Sequence, residues 1–599
     1  MTVVAAVDAT RDGLAKALPD RPDAVVSLLS WDAGADEPGA PGSATAALVQ
    51  ALADRGATGP LWCATGGAVS VAGEDADPDQ AAVWGLGGVL ALDLPEAFGG
   101  LVDLPRQPTD ADLDAFAAAL TAPGGEDQLA VRDGRLLARR LVRDGADAPE
   151  WTPRGAVLVT GGTGGLGTHV ARWLARSGAG HVVLASRSGP AAPGAAGLAA
   201  EVEALGARCS VVALDVADRD AVAAVLADVE RDGPLTAVVH AAGAGLAPTP
   251  VVELTAGRYA DVAAGKVEGA RVLDEVLADR ALDAFVLFSS GAAVWGSGGQ
   301  APYAAANAFL DGLAARRRAR GLVATSVAWG GWGGGLGMIG DGDAERWARL
   351  GIRTMDPEAA LRGMALAVGS GRAASVVADV DWARFAPGYA LARERPLLRG
   401  LPEVVALLAE PDEPAAAVDA RGALAARLTG LDAAGQDELL ADLVRAQAAA
   451  VLGFADPGAV AADRAFKDAG FDSVTAVELR NRLGAATGLR LPPTVVFDHP
   501  KPLALARVLR AELVPQRGDG VTAAQVAHRE DAIRRVLASV PLARFEELGV
   551  LGALVDLVPA APPAGGAATA ERDDLADLAE LDLDGLVRRA MRGTTAGND

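Results

Sequence analysis

The amino-acid sequence predicts an α/β protein built on a doubly wound parallel sheet, with a smaller α/β unit ahead of it and helical domains behind it. Short β-branched runs alternate with Ala-rich helical stretches through the first 400 residues, as in strands buried on both faces and joined by helices. One run opens directly into a glycine-rich loop, Gly161-Gly162-Thr163-Gly164-Gly165-Leu166-Gly167. Past residue 409 the strand-like runs stop and helical periodicity takes over.

Residues 1–150 place apolar runs at 24–29, 59–65 and 99–104 between helical stretches, with no catalytic constellation in view. Residues 151–405 repeat the pattern more sharply, with runs at 156–160, 181–186, 209–215, 237–243 and 284–290. These five runs are the expected strands of the doubly wound sheet. Residues 406–430, which include the Pro-, Ala- and acid-rich stretch 409–422, read as a linker. Residues 431–512 read as a helical domain. Its segment 436–453 carries Leu439, Leu440, Leu443, Val444, Val451 and Leu452 at helical spacing. Residues 522–599 form a tail that contains a second spacer at 557–573.

A length of 599 residues suggests about four domains. The net charge of −24 repels phosphate backbones and anionic lipid, which argues against nucleic-acid or membrane binding. Cys63 and Cys209 lie far apart, and neither they nor the five histidines show metal-ligand spacing, so no metal is expected. The N-terminus reaches Asp8 without a basic or apolar signal segment, and no apolar run is long enough to span a bilayer. A soluble, cytoplasmic chain is expected.

Glycines after a strand let the backbone turn tightly and approach a pyrophosphate at a helix N-terminus, here over about Thr168 to Arg176. The next strand ends in Ser186-Arg187. An acid there would suit the ribose hydroxyl of NAD; an arginine favours the 2′-phosphate of NADPH. Asp215 and Val216 close the third strand as candidate adenine contacts. His240, Ala241, Ala242 and Gly243 close the fourth on the nicotinamide side.

Ser290 ends the fifth strand, Tyr303 follows thirteen residues later, Asn307 stands four beyond it, and Lys266 lies upstream. This set resembles the short-chain dehydrogenase/reductase superfamily, a Rossmann-type fold, with one departure. Asn307 occupies the position of that superfamily's lysine, and Lys266 the position of its asparagine. The exchange marks polyketide synthase ketoreductases, which FSSGAAVWGSGGQAPYAAANAFLDGLAARRRARG resembles nearly end to end. The resemblance implies NADPH-dependent reduction of a carrier-bound β-ketoacyl thioester. A phenol of pKa about 10 needs a nearby cation to donate a proton readily. Tyr303 would be that donor, Lys266 the cation, Ser290 a second hydrogen bond to the carbonyl, and Asn307 the group holding the lysine and a water. Trp295 and Gln300, with no Leu-Asp-Asp signature near Gly245-Leu246-Ala247, resemble the A1 subtype, which forms an L-hydroxyl without epimerisation. The alternative is a redox-silent ketoreductase that only tethers a carrier; such relatives lose these side chains, and here they are present.

Residues 1–150 resemble the structural subdomain of the same ketoreductases, a truncated Rossmann unit that binds no cofactor, and begin inside it without its usual first strand. Gly470-Phe471-Asp472-Ser473-Val474 and the segment through residue 502 resemble an acyl carrier protein, with Ser473 as the phosphopantetheine attachment site. The tail resembles a C-terminal docking domain. It carries the stripes Ile533, Val536, Leu537 and Val540, then Phe545, Leu548, Leu551 and Leu554, and a last helix with Leu581, Leu583, Leu586, Val587 and Met591. The resemblance implies a homodimer through the first two helices and a downstream synthase polypeptide as partner of the last. It also implies ketosynthase and acyltransferase domains upstream.

Overall fold

The computed structural model describes residues 9–514, except 33–39, 58, 145–147, 244–246, 334–340, 391, 409–414, 453, 455, 470, 472, 490 and 493–494. The expected docking tail therefore lies outside the described residues, as do Gly245 and Leu246.

The N-terminal sheet runs β1 (Val25–Ser27), β2 (Leu61–Gly66), β3 (Phe98–Leu104), β4 (Gln128–Arg132) and β5 (Arg135–Ala138), in that spatial order. The first four strands are parallel; β4 and β5 form an antiparallel hairpin. Its turn, Asp133-Gly134, has positive φ at both residues, 51° and 67°, the conformation that matches strand twist in a two-residue hairpin. Asp103 ties this unit together from inside. It accepts from Thr65 at 2.6 Å and from the Ala68 amide at 2.7 Å, and pairs with Arg132 at 2.8 Å.

The second sheet has seven strands: β6 (Ala156–Thr160), β7 (His181–Ser186), β8 (Arg208–Ala213), β9 (Leu235–His240), β10 (Ala284–Ser290), β11 (Thr325–Trp329) and, beyond the short strand β12 (Ile352–Arg353), β13 (Ala374–Val377). Their order is β13-β11-β10-β9-β6-β7-β8, all parallel. Strand order reverses between β6 and β9, the switch point where open sheets of this kind bind ligands. β12 pairs with β14 (Asp379–Val380) in a separate antiparallel ribbon. The central strands are continuous apolar runs because helices cover both faces: β6 is buried along its whole length.

The helix Pro78–Asp93 of the N-terminal unit packs along the helix Ala301–Ala319, which carries Tyr303. The crossing is tight. A Cβ at Gly85 would run into the Ala304 carbonyl and lie 2.8 Å from the Ala308 Cβ. Small residues at 304–306 and 308 are what let the backbones meet.

Part of the expected linker at 406–430 is ordered as helix. Residues Ala415–Leu428 form one, and Leu424 and Leu428 are buried. The Ala-rich composition that suggested a spacer is also strong helix-forming sequence, and Leu424 and Leu428, four apart, share one face. The described residues divide into two compact units, 421–440 with 506–514, and 9–420 with 441–505. The expected helical domain 431–512 contributes to both. In the first unit, Arg510 pairs with Asp437 at 2.7 Å. In the second, Phe466 meets Phe471 edge-on at 5.1 Å, and its amide donates to Pro500 O at 2.8 Å. No helix among the described residues is long and apolar enough to cross a membrane.

Gly85→Ala tests the crossing. Helix propensity alone favours alanine by roughly 1 kcal/mol, yet the overlap with Ala304 predicts a net loss of about 1–3 kcal/mol. Gly197, in the helix Ala195–Ala204 with open space around it, is the control, where alanine stabilises. Urea unfolding of both variants should give opposite signs.

Candidate active site

The glycine loop leaves β6 through Gly161, whose φ of +70° is left-handed. A side chain there would meet the Ala241 carbonyl at 2.8 Å, so only glycine lets the loop nest against the end of β9. The helix begins at Gly165, three residues before the expected start, and runs to Arg176 with Gly164 as N-cap. No side chain caps it, which leaves its first amides open to an anion. Thr163 Oγ1 donates to Ser186 Oγ at 2.8 Å, linking the loop to the end of β7. Arg187 follows, exposed. Asp215 is exposed as well and accepts from the Ala217 amide at 3.1 Å, while Val216 is buried. Ala241 and Ala242 are half-buried and Gly243 exposed beside the loop. An uncapped helix start, a glycine cradle and an arginine at the β7 end fit a 2′-phosphorylated dinucleotide.

His240 is placed differently from its expected role. Its side chain is fully buried, with Thr160 Oγ1 2.8 Å from Nδ1 and Lys266 O 3.0 Å from Nε2. Burial pushes the imidazole down to about 4, against the opposing effect of the carbonyl bond, so it is neutral at ordinary pH. It sits beneath the site and does not face the dinucleotide cradle.

Ser290, Tyr303, Lys266 and Asn307 converge from three elements: the end of β10, the helix Ala301–Ala319, and a π-helical turn, Ala264–Glu268. Lys266 is buried; its Nζ donates to Phe288 O at 2.7 Å and lies 5.9 Å from the centre of the Tyr303 ring. Burial pushes this ammonium down to about 8, and Asp311 opposes the shift. Burial also raises the Tyr303 phenol, while hydrogen bonds with Ser290 and Asn307 act to lower it. Asn307 does not hold the lysine. Its Nδ2 donates to Tyr303 O at 2.7 Å, one helical turn back, and its buried Oδ1 has no protein partner. The carbonyl of Phe288 takes the role expected of it.

Trp295 is buried in the short helix Ala292–Trp295 and packs edge-on against Phe385 at 5.9 Å. Gln300 stands at the N-cap position of the Tyr303 helix without a side-chain capping bond, and lines a cleft with Thr249, Arg258, Pro302 and Tyr303. Ser473 is the first residue of the helix Ser473–Thr487. Sequence reasoning missed Thr160, Ser289 and Asp311. The Ser289 hydroxyl donates to Asn307 O at 3.1 Å, and Asp311 accepts from Ser326 Oγ at 2.6 Å. Burial pushes the Asp311 carboxyl up to about 6, opposed by those serines, Arg139 and Lys266. The signal for Asp311 was an acid two helical turns beyond Tyr303, on the same face as Asn307.

Three family models match the chain: a KR domain over residues 155–334, the Rossmann fold domain of polyketide synthase extender module SpnB over 2–141, and a phosphopantetheine attachment site over 442–509. Pikromycin polyketide synthase component PikAIII of Streptomyces venezuelae is 48% identical over 525 residues, covering 85% of this chain and 33% of the relative. The chain thus spans a third or less of the full-length relatives it matches. A solved A1-type ketoreductase is 45% identical with a TM-score of 0.64, covering 67% of this chain and 88% of that one. A C2-type ketoreductase from a modular polyketide synthase is 44% identical with a TM-score of 0.61, covering 66% and 88%.

The Lys266 and Asp311 charges support each other, so the lysine should titrate near pH 8 and lower still in Asp311→Asn. Lysine side-chain NMR can follow this, because the chain has only four lysines, Lys16, Lys266, Lys467 and Lys501. An unchanged Lys266 titration in the variant would remove Asp311 from the site's electrostatics.

Proposed function

Because the chain belongs to the ketoreductases of modular polyketide synthases, we propose that it reduces a carrier-bound β-ketoacyl thioester to the β-hydroxyacyl thioester with NADPH. The observation that carries this reading is the half-buried phenol of Tyr303 beside the buried ammonium of Lys266, with Ser290 ending the strand β10 whose Phe288 carbonyl holds that ammonium. The loop 161–167, Ser186 and Arg187 would hold NADPH, which would supply the hydride when bound. The Ser290 and Tyr303 hydroxyls hold the ketone oxygen from the cleft that Gln300 lines. As charge develops on that oxygen, Tyr303 Oη gives up its proton. Lys266, kept out of water, stabilises the phenolate left behind.

The Trp295 and Gln300 pattern supports an L-hydroxyl product without epimerisation. Overall likeness does not discriminate here, since the A1-type and C2-type structures are almost equally similar. Ser473, at a helix start inside the matched attachment-site segment, is the residue we assign to 4′-phosphopantetheine. The apolar stripes of 522–599 support a docking domain that dimerises and meets a downstream synthase polypeptide, with ketosynthase and acyltransferase domains supplying the substrate. Free thiols at Cys63 and Cys209 suit a reducing cytoplasm.

Two experiments test the reading. Tyr303→Phe keeps the ring but not the proton, so kcat on a β-ketoacyl thioester should fall at least about 100-fold while NADPH still binds by fluorescence. A variant that retains near wild-type turnover would remove Tyr303 as proton donor. Arg187→Asp should weaken or invert the preference for NADPH over NADH, read as the ratio of kcat/KM values. Equal use of both cofactors by the unmodified protein would refute Arg187 as the 2′-phosphate site.

A further inference from the structure

Lys266 reaches its post from an unusual piece of backbone. The turn Ala264–Glu268 is π-helical, between the α-helical segments Ala256–Ala263 and Gly269–Val276. Such turns persist where surrounding contacts impose them. The contact that reaches the backbone of Lys266 from outside its own helix is the imidazole of His240 at the end of β9. A carbonyl oxygen can only accept, so Nε2 carries the proton; Nδ1 is then the acceptor, and the Thr160 hydroxyl must donate to it. Thr160 ends β6, the strand that opens into the dinucleotide loop. The chain Thr160 Oγ1, His240, Lys266 O thus ties the two strand ends at the switch point to the turn that carries the lysine. The fit is close on either side. A Cβ at Gly243 would come within 2.8 Å of Lys266 Cε, and one at Gly269 within 3.1 Å of His240 Cε1.

We propose that His240 is a positioning residue for the reduction: held as its Nε2–H tautomer by Thr160, it fixes the main chain of Lys266, so that the ammonium is set between Phe288 O and the Tyr303 ring. This rests on the ketoreductase reading above. The groups that face the lysine are His240 from β9, the Phe288 carbonyl from β10, and Tyr303 and Asp311 from the helix Ala301–Ala319. His240 is neutral across the working range, so it acts through geometry and adds no charge.

The two ring nitrogens can be separated by substitution in the full-length protein. Asparagine at 240 places its amide near the Nδ1 position and removes the ring donor to Lys266 O. Glutamine reaches the Nε2 position and can still donate to Lys266 O. His240→Asn should lower kcat about tenfold or more, with the KM for NADPH within about twofold of wild type and the basic limb of the pH–rate profile displaced. The Lys266 NMR titration should move with it. His240→Gln should recover most of the lost rate and the wild-type titration. If both variants lose kcat equally, or if His240→Asn leaves the limb and the titration in place, the proposal is overturned. Should His240→Asn not fold, Thr160→Val serves instead. It leaves the imidazole in place but removes the donor that sets its tautomer, and must lower kcat and shift the Lys266 titration in the same direction; no shift overturns the proposal. A wild-type protein without reductase activity would sink the functional reading, yet the Lys266 titration in His240→Asn would still decide the structural one.

Discussion

The site depends on keeping one ammonium out of water. Lys266 is buried, so its charge acts on Tyr303 through a medium of low dielectric, where a single cation stabilises a phenolate far more than it would in solvent. Burial also works against the lysine by favouring its neutral form, which pushes the ammonium down to about 8. Two groups hold the balance. The Phe288 carbonyl accepts one of the three protons, and the Asp311 carboxylate lends opposite charge from within the next helix. Neither would contribute much on a wet surface. Both are strong here because the seven-stranded sheet and the Tyr303 helix close over them.

That closure is shared between the two α/β units. The helix Ala301–Ala319 carries Tyr303, Asn307 and Asp311 on successive turns of one face and turns another face to the N-terminal unit. The crossing at Gly85 and Ala304 falls one residue from Tyr303, so the N-terminal unit supports the catalytic helix directly behind its proton donor. A unit that supplies none of Ser290, Tyr303, Lys266 and Asn307 still packs against the helix that carries the phenol.

Much of this was legible in the sequence for a definite reason. Strands buried on both faces have to be unbroken apolar runs, so β6, β7 and β10 were found to the residue, and the loop after β6 followed from its glycines. Tyr303, Ser290 and Lys266 were legible because tyrosine and lysine are scarce in this chain. The hairpin at 128–138 was not identified, although Asp133-Gly134 between two apolar runs is a hairpin signal. The helix at 415–428 was masked by a composition shared by spacers and helices. Thr160 and Asp311 were out of reach for another reason: what makes them matter is a partner 80 residues away in one case and a buried cation on a different helix in the other.

The exchange of asparagine and lysine has a structural consequence of its own. A lysine four residues after the tyrosine would be placed by helix geometry alone, since positions i and i+4 share a face on any α-helix. Here that position holds Asn307, whose Nδ2 donates to the Tyr303 carbonyl one turn back and whose Oδ1 has no protein partner among the described residues. The cation instead arrives from a π-helical turn on a separate segment. Its distance to the phenol is set by how the ends of β6, β9 and β10 pack, not by the pitch of one helix. Relative motion within a single helix is small, whereas strand ends and turns open at lower cost. Substitutions that loosen this cluster should therefore disturb the Lys266–Tyr303 geometry before they unfold the sheet, so the chemistry is more fragile than the fold that carries it.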